Sequence, residues 1–192
     1  MPVEEDKMIE NKIPIATDEE DRRWNEEFRA KWSGTPYPPM FVTADAVVLH
    51  RGKILLIRRA GMPGRGRLAL PGGYVEHSEL IQDAAVRELI EEAGPASQRG
   101  PLQPQFLKDC ITGWRLFDDP KRAARGRVIT IAYVFDLPDQ DKVDVTAGDD
   151  AGAADWHEIP SLDTAELFEE HREILQEMVL SRQLRRNGYT PR

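Results

Sequence analysis

Apolar residues recur along this chain with two different periods, and the change of period divides it. Thr17 followed by Glu20 has the form of a capping box, and Trp24, Phe28 and Trp32 then repeat every four residues on an otherwise charged segment. This predicts one amphipathic helix, ended by the stiff tract Ser33-Gly34-Thr35-Pro36-Tyr37-Pro38-Pro39. From Phe41 the pattern becomes strand-like. Phe41–His50 and Lys53–Arg58 read as two strands joined at Arg51-Gly52, with further strands expected at Gln105–Ile111, Arg127–Asp136 and Ala153–Ile159. Two more helices are expected, from about Glu79 to Ala93 with Gly94-Pro95 as the stop, and from about Leu167 to Leu184. Mixed strands with one mid-chain and one terminal helix predict an α+β or layered α/β/α domain over residues 41–186, preceded by a helical extension over 1–40. The aromatic stripe of that extension must bury against its own domain or a second subunit.

Composition narrows the class. The 192 residues suffice for one domain with a core of its own, and Cys110 is the single cysteine, so no intrachain disulfide is possible and a reducing, cytoplasmic compartment is expected. No apolar run approaches the ~20 residues of a membrane span, and no signal-peptide core is seen in Met1 to Asp21. The net charge of −8 disfavours a nucleic-acid backbone as partner. Charge is nevertheless segregated. Acidic residues crowd into Glu76–Glu92 and Asp139–Asp150, while Arg58, Arg59, Arg65 and Arg67 form one basic tract and Arg122, Arg125 and Arg127 another. Acidic and basic patches on one small domain suit cations meeting a phosphorylated ligand.

The mid-chain helix carries the sharpest signal. Glu88, Glu91 and Glu92 stand at i, i+3 and i+4, so their carboxylates share a face and repel one another unless a cation intervenes. With no His or Cys beside them, hard oxygen donors favour Mg²⁺ or Mn²⁺. Gly73, Glu79, Arg87-Glu88-Leu89, Glu91-Glu92 and Gly94 then fit the spacing G-x5-E-x7-R-E-U-x-E-E-x-G-U, where U is a bulky aliphatic, except that Pro95 holds the last U. This motif resembles that of the Nudix hydrolases.

The resemblance, from about Phe41 to Leu184, implies an α/β/α sandwich with a mixed sheet and a divalent-cation site on a pyrophosphate substrate. By position, Glu88, Glu91 and Glu92 correspond to Mg²⁺ ligands, with the Gly72 carbonyl as a further donor and Mn²⁺ as a substitute. Glu79 is expected at or before the helix start, folded back toward the metal or Arg87, and Arg87 is expected to orient carboxylates. Asp149 and Asp150 are the candidates for an assisting base.

The tracts around Arg58-Arg59, Pro71–Tyr74, Phe117–Thr130 and Gly148–Ala151 resemble ADP-ribose pyrophosphatases, above all the Nudix half of bifunctional nicotinamide-mononucleotide adenylyltransferase/ADP-ribose pyrophosphatases. This implies cleavage of ADP-ribose to AMP and ribose 5-phosphate, with Arg59, Arg125 and Gly73 contacting substrate and with a homodimer. With about 40 residues ahead of the domain and no phosphate-binding His motif, a free-standing hydrolase is expected. Surface ion pairing is expected for Arg122 and Arg127, and the Gly61–Gly66 tract is expected to be a flexible loop over the site. Another nucleoside diphosphate derivative, a nucleoside triphosphate, or non-catalytic sensing of ADP-ribose are the alternatives.

Overall fold

The computed structural model describes residues 13–148 and 151–180. Helix α1 (Asp18–Ala30) opens with the reciprocal Thr17–Glu20 capping box. A mixed sheet follows, built from β1 (Met40–His50), β2 (Lys53–Arg59), β3 (Leu68–Ala69) and β4 (Gly72–Tyr74), then β7 (Ile111–Phe117), β8 (Arg127–Asp136) and β9 (Ala151–Glu158). The order is β3-β2-β1-β8-β7, with β4 pairing β1 and β9 pairing β2. β1 and β8 run parallel over Met40–Leu49, whereas the β1–β2 hairpin turns at Arg51-Gly52, both with positive φ. Between β4 and β7 lie α2 (Ile81–Ala93), a short hairpin of β5 (Ala96–Ser97) and β6 (Gly100–Pro101), and α3 (Pro104–Asp109).

Alternation along β1 creates two cores. Ala44, Ala46 and Val48 face α2, packing with Ala84, Ala85, Leu89 and Ala93. Val47 faces the other way, into a second core with Ile174, Leu175, Met178 and Val179 of α4 (Glu169–Leu175) and its continuation, a π turn over Gln176–Leu180. One helix thus covers each face of the sheet, the layering expected from the sequence. α2 stops where Gly94 adopts φ +40 and its N–H returns to the Ile90 carbonyl.

Three expectations change. Gln105–Ile111 is mainly helical, because Pro104 occupies the first turn of α3, and the strand begins only at Ile111. The last helix starts at Glu169, not Leu167, since Leu167 bridges to Leu68 and the Phe168 N–H bonds the Leu68 carbonyl at 2.8 Å; its expected end at 181–184 lies outside the described residues. Leu80 is exposed at the N-cap of α2 rather than part of its apolar side.

The extension packs on its own domain. Phe28 and Trp32 both meet Phe41, with centroids 5.4 and 5.8 Å apart. Asp21 accepts the Gly64 N–H at 2.7 Å, Glu20 pairs with Arg65 at 3.0 Å, and Arg29 donates to the Ala124 carbonyl at 2.6 Å. The glycine tract expected to be a flexible loop is therefore tied down. The Arg59 Nε donates to the Pro63 carbonyl at 2.7 Å and Arg58 Nη1 to the Gly66 carbonyl at 2.6 Å.

Candidate active site

Two glycines allow the site to form. The register β1–β4 sets Asp45 opposite Gly72 and Ala44 opposite Gly73. A Cβ on Gly72 would stand 2.3 Å from Asp45 Oδ1, and one on Gly73 would stand 2.3 Å from Glu88 Oε1. Strand β4 is thus sandwiched between a carboxylate of β1 and a carboxylate of α2, with room for neither if a side chain were added.

Along α2, Glu88 and Glu92 turn toward this strand. Glu92 Oε2 accepts the Gly72 N–H at 2.8 Å, yet burial, with Glu88 and Asp45 nearby, pushes its carboxyl up to about 7. Burial also raises Glu88, against the pull of Arg87. Glu91 is more exposed, at 58 %. Arg87 is the hub of this face. Its Nε and Nη2 clasp Glu79 at 3.0 and 2.7 Å, its Nη1 reaches Glu88 at 2.7 Å and Glu91 at 3.0 Å, and Nη2 also meets the Tyr74 carbonyl at 3.1 Å. Glu79 lies two residues before α2, folded back onto Arg87, and that bond lowers its pKa.

The donors suit a hard divalent cation in kind: carboxylate oxygens, two of them, on Glu88 and Glu92, with raised pKa values that a positive charge would relieve. Among the described residues no three His, Cys, Asp or Glu side chains already meet at one point, because Arg87 Nη1 holds Glu88 and Glu91.

The carboxylates open on a cleft of about 660 Å³ that also includes Arg59, Gly61, Gly73, Tyr74 and Arg87. Through Arg59, Gly72, Gly73 and Tyr74 it adjoins a deeper cavity of about 190 Å³. Arg125 lines that cavity, its Nε donating to the Tyr74 hydroxyl at 3.2 Å and its Nη1 bound to Glu170. Burial pulls the Arg125 guanidinium down, but Glu170 and Tyr74 outweigh it. Arg59 sits 4.7 Å from the Phe168 ring centroid, and burial together with Arg125 lowers its pKa.

A buried polar cluster below these arginines was not anticipated. Asp45 is pushed up to about 7 by burial and Glu170, against Arg122, Arg125 and Arg59. His171 is held well below its usual value by burial and the same three arginines. Its Nδ1 accepts the Leu70 N–H at 2.9 Å, which assigns the proton of the neutral ring to Nε2, 3.7 Å from Asp45 Oδ2. Arg122, expected on the surface, is only 2 % exposed, donating to Thr130 Oγ1 at 2.5 Å and pairing with Glu170 at 3.8 Å. Asp149 and Asp150 lie outside the described residues. Trp114 and Trp156 line neither cavity; Trp156 Nε1 donates to the Val143 carbonyl.

A helix-borne carboxylate array facing a glycine strand, beside an arginine-lined cavity, is the arrangement of an enzyme acting on phosphorylated ligands. The chain belongs to the NUDIX domain family, whose model matches residues 40–178, and it is a Nudix hydrolase. It is 34 % identical over 136 residues to an ADP-ribose pyrophosphatase of Methanocaldococcus jannaschii, covering 71 % of each chain. A bifunctional NMN adenylyltransferase/ADP ribose pyrophosphatase from Francisella tularensis, complexed with AMP and a manganese ion, superposes with a TM-score of 0.75 at 30 % identity. That match covers 84 % of this chain, which spans about half (47 %) of the Francisella protein. The NUDIX domain of Shewanella oneidensis NrtR, complexed with ADP ribose, shares the fold at TM-score 0.57 and 18 % identity, over 83 % of this chain and 97 % of that one. Among the described residues no helix is long and apolar enough to cross a membrane.

Proposed function

We propose that this chain hydrolyses ADP-ribose to AMP and ribose 5-phosphate with Mg²⁺, Mn²⁺ being a substitute. The observation that carries the reading is the meeting of Glu88 and Glu92 with Gly72-Gly73 at the mouth of the cavity that holds Arg59 and Arg125. The identity to the Methanocaldococcus pyrophosphatase supports the same substrate, as does the AMP and manganese of the Francisella complex.

Glu88, Glu91 and Glu92 would hold the cation, with the Gly72 carbonyl as a further donor. When bound, the cation supplies charge neutralisation and Lewis-acid activation at the pyrophosphate. Arg87 holds Glu88 and Glu91 on one face, and Glu79 fixes Arg87 from the other side. Arg59 and Arg125 present forked donors suited to phosphate oxygens or the terminal ribose. Gly73 lines the cleft where substrate would contact its backbone, and its missing side chain makes room for the Glu88 carboxylate. A water oxygen adds to one phosphorus, the bridging P–O bond breaks, and the proton lost by water passes to a carboxylate for which Asp149 and Asp150 are our candidates. The domain is taken as 41–186, with 1–40 as its extension, working as a cytoplasmic homodimer. Since the α1 stripe packs on its own domain, the two copies would meet through other surfaces.

The test is a product assay over ADP-ribose, NAD⁺, NADH, diadenosine polyphosphates and nucleoside triphosphates with Mg²⁺. Turnover of ADP-ribose to AMP and ribose 5-phosphate is expected to dominate; rapid turnover of a triphosphate with ADP-ribose inert would overturn the reading.

A further inference from the structure

The cavity behind the carboxylate cleft has walls of two kinds. Asp45, Thr43 and Thr130 form a buried polar side, with the two threonine hydroxyls 2.6 Å apart. Facing them are rings from outside the sheet domain: Trp24 and Phe28 of α1 line the cavity, their centroids 5.1 Å apart and their planes 17° from parallel. Both rings are only half-buried.

The helix bearing them is fixed at several points. Asp21 holds the Gly64 N–H, Glu20 holds Arg65, and Arg29 reaches the Ala124 carbonyl. The ring chain continues from Phe28 to Phe41 and from Phe41 to Tyr74, whose centroids are 5.6 Å apart. Tyr74 borders both the cavity and the carboxylate cleft. A ligand with its phosphates in the cleft therefore places its next group against a preformed aromatic wall. Such a wall recognises a flat π surface and costs no ordering on binding.

We propose that Trp24, supplied by the N-terminal helix of the same chain, is the stacking platform for the aromatic base of a nucleoside diphosphate, so that α1 is a specificity element of the site. This rests on the reading that the adjoining cleft takes the pyrophosphate. A sugar diphosphate without a base would leave the wall unused, and the helix would then contribute only to loop placement.

The test uses the full chain and the variants Trp24→Leu, which keeps an apolar side chain on the helix, and Trp24→Phe, which keeps a ring. Binding of AMP and of ribose 5-phosphate is measured by calorimetry, beside ADP-ribose kinetics and melting curves. Trp24→Leu is expected to weaken AMP on the order of 10- to 100-fold, to leave ribose 5-phosphate within about 2-fold, and to raise KM for ADP-ribose more than it lowers kcat. Trp24→Phe is expected to recover most of the AMP affinity. Equal weakening of both products, no weakening of either, or no recovery by the phenylalanine would overturn the proposal. If ADP-ribose resists cleavage while AMP binding still depends on the Trp24 ring, the substrate reading fails and this one stands. If ADP-ribose is cleaved and AMP binding ignores Trp24, the reverse holds.

Discussion

Glu88 lays its carboxylate where Gly73 has no side chain: a Cβ at that position would sit 2.3 Å from Oε1. The glycine required by the family spacing is here a matter of volume, because neither Gly72 nor Gly73 has positive φ. The two glycines differ, however, in what surrounds them. Gly73 meets the far end of a flexible side chain, whereas Gly72 meets backbone, with the Ala44 carbonyl oxygen 2.7 Å and the Asp45 Cα 2.9 Å from a Cβ.

Two alanine variants should therefore separate. Gly73→Ala is expected to move the Glu88 carboxylate and cut kcat/KM by at least ~100-fold, while stability falls by less than about 1 kcal/mol. Gly72→Ala is expected to cost roughly 1–3 kcal/mol through overpacking against β1. Denaturant melts beside the product assay check this; equal destabilisation by both would contradict the distinction.

If Glu88 and Glu91 hold the cation, as proposed, Arg87 competes with it for both carboxylates. Arg87→Ala should lower the stability of the metal-free protein by about 2 kcal/mol, because three carboxylates lose their shared partner. Mg²⁺ should then raise Tm further than it does in the unaltered protein, since both carboxylates are already released, while kcat falls for want of orientation. A smaller Mg²⁺ shift in the variant would mean that Arg87 assembles the site without competing for it.

Local patterns carried much of this architecture. The capping box at Thr17–Glu20, the hairpin at Arg51-Gly52 and the stop at Gly94 each depend on residues a few positions apart, and each was readable. The carboxylate face of α2 was readable for the same reason. α3 was not, because six residues are too few to separate a helical from an alternating period; only Pro104 signalled it. β7 lies at the sheet edge with Trp114, Arg115 and Leu116 all exposed, so its alternation is blurred. The cluster of Asp45, Arg122, Glu170 and His171 joins β1, a loop and α4 across more than a hundred positions. Its one local trace was an aspartate inside the apolar run Val42–Leu49.

Arg125 has two tasks that a double variant can divide. Arg125→Ala removes the proposed phosphate or ribose contact and also leaves Glu170, 8 % exposed, with less compensation. KM for ADP-ribose should rise more than kcat falls, and stability should drop by about 2 kcal/mol. Adding Glu170→Gln should restore most of the stability and none of the KM. Recovery of both would assign Arg125 a purely structural part, and coupling energies from the cycle report it directly.

Glu92 and Asp45 each make the stability of the metal-free fold depend on pH. Both carboxyls are raised in the folded state to about 7, from 4.5 and 3.8, by burial first. At these two positions the folded protein thus binds more protons than the unfolded chain between about pH 4 and 7. Stability from these groups is fully present below the unfolded values and is lost as pH rises through about 7. Glu92→Gln keeps the shape and the acceptor for the Gly72 N–H while removing the charge. At pH 8, in EDTA, it should be more stable than the unaltered protein by about 1–2 kcal/mol, allowing for partial solvent screening. At pH 4 the advantage should vanish, because Glu92 is then neutral. Asp45 keeps a residual slope that Asp45→Asn should remove. Mg²⁺ at about 100 times Kd should stabilise the unaltered protein by ~2.7 kcal/mol and Glu92→Gln by less, with activity lower by several orders of magnitude. Melting curves from pH 4 to 8, with EDTA and with graded Mg²⁺, read all of these. An equal Mg²⁺ shift in both proteins, with activity retained, would remove Glu92 from the cation site, and a pH-independent difference between them would contradict the raised carboxyl.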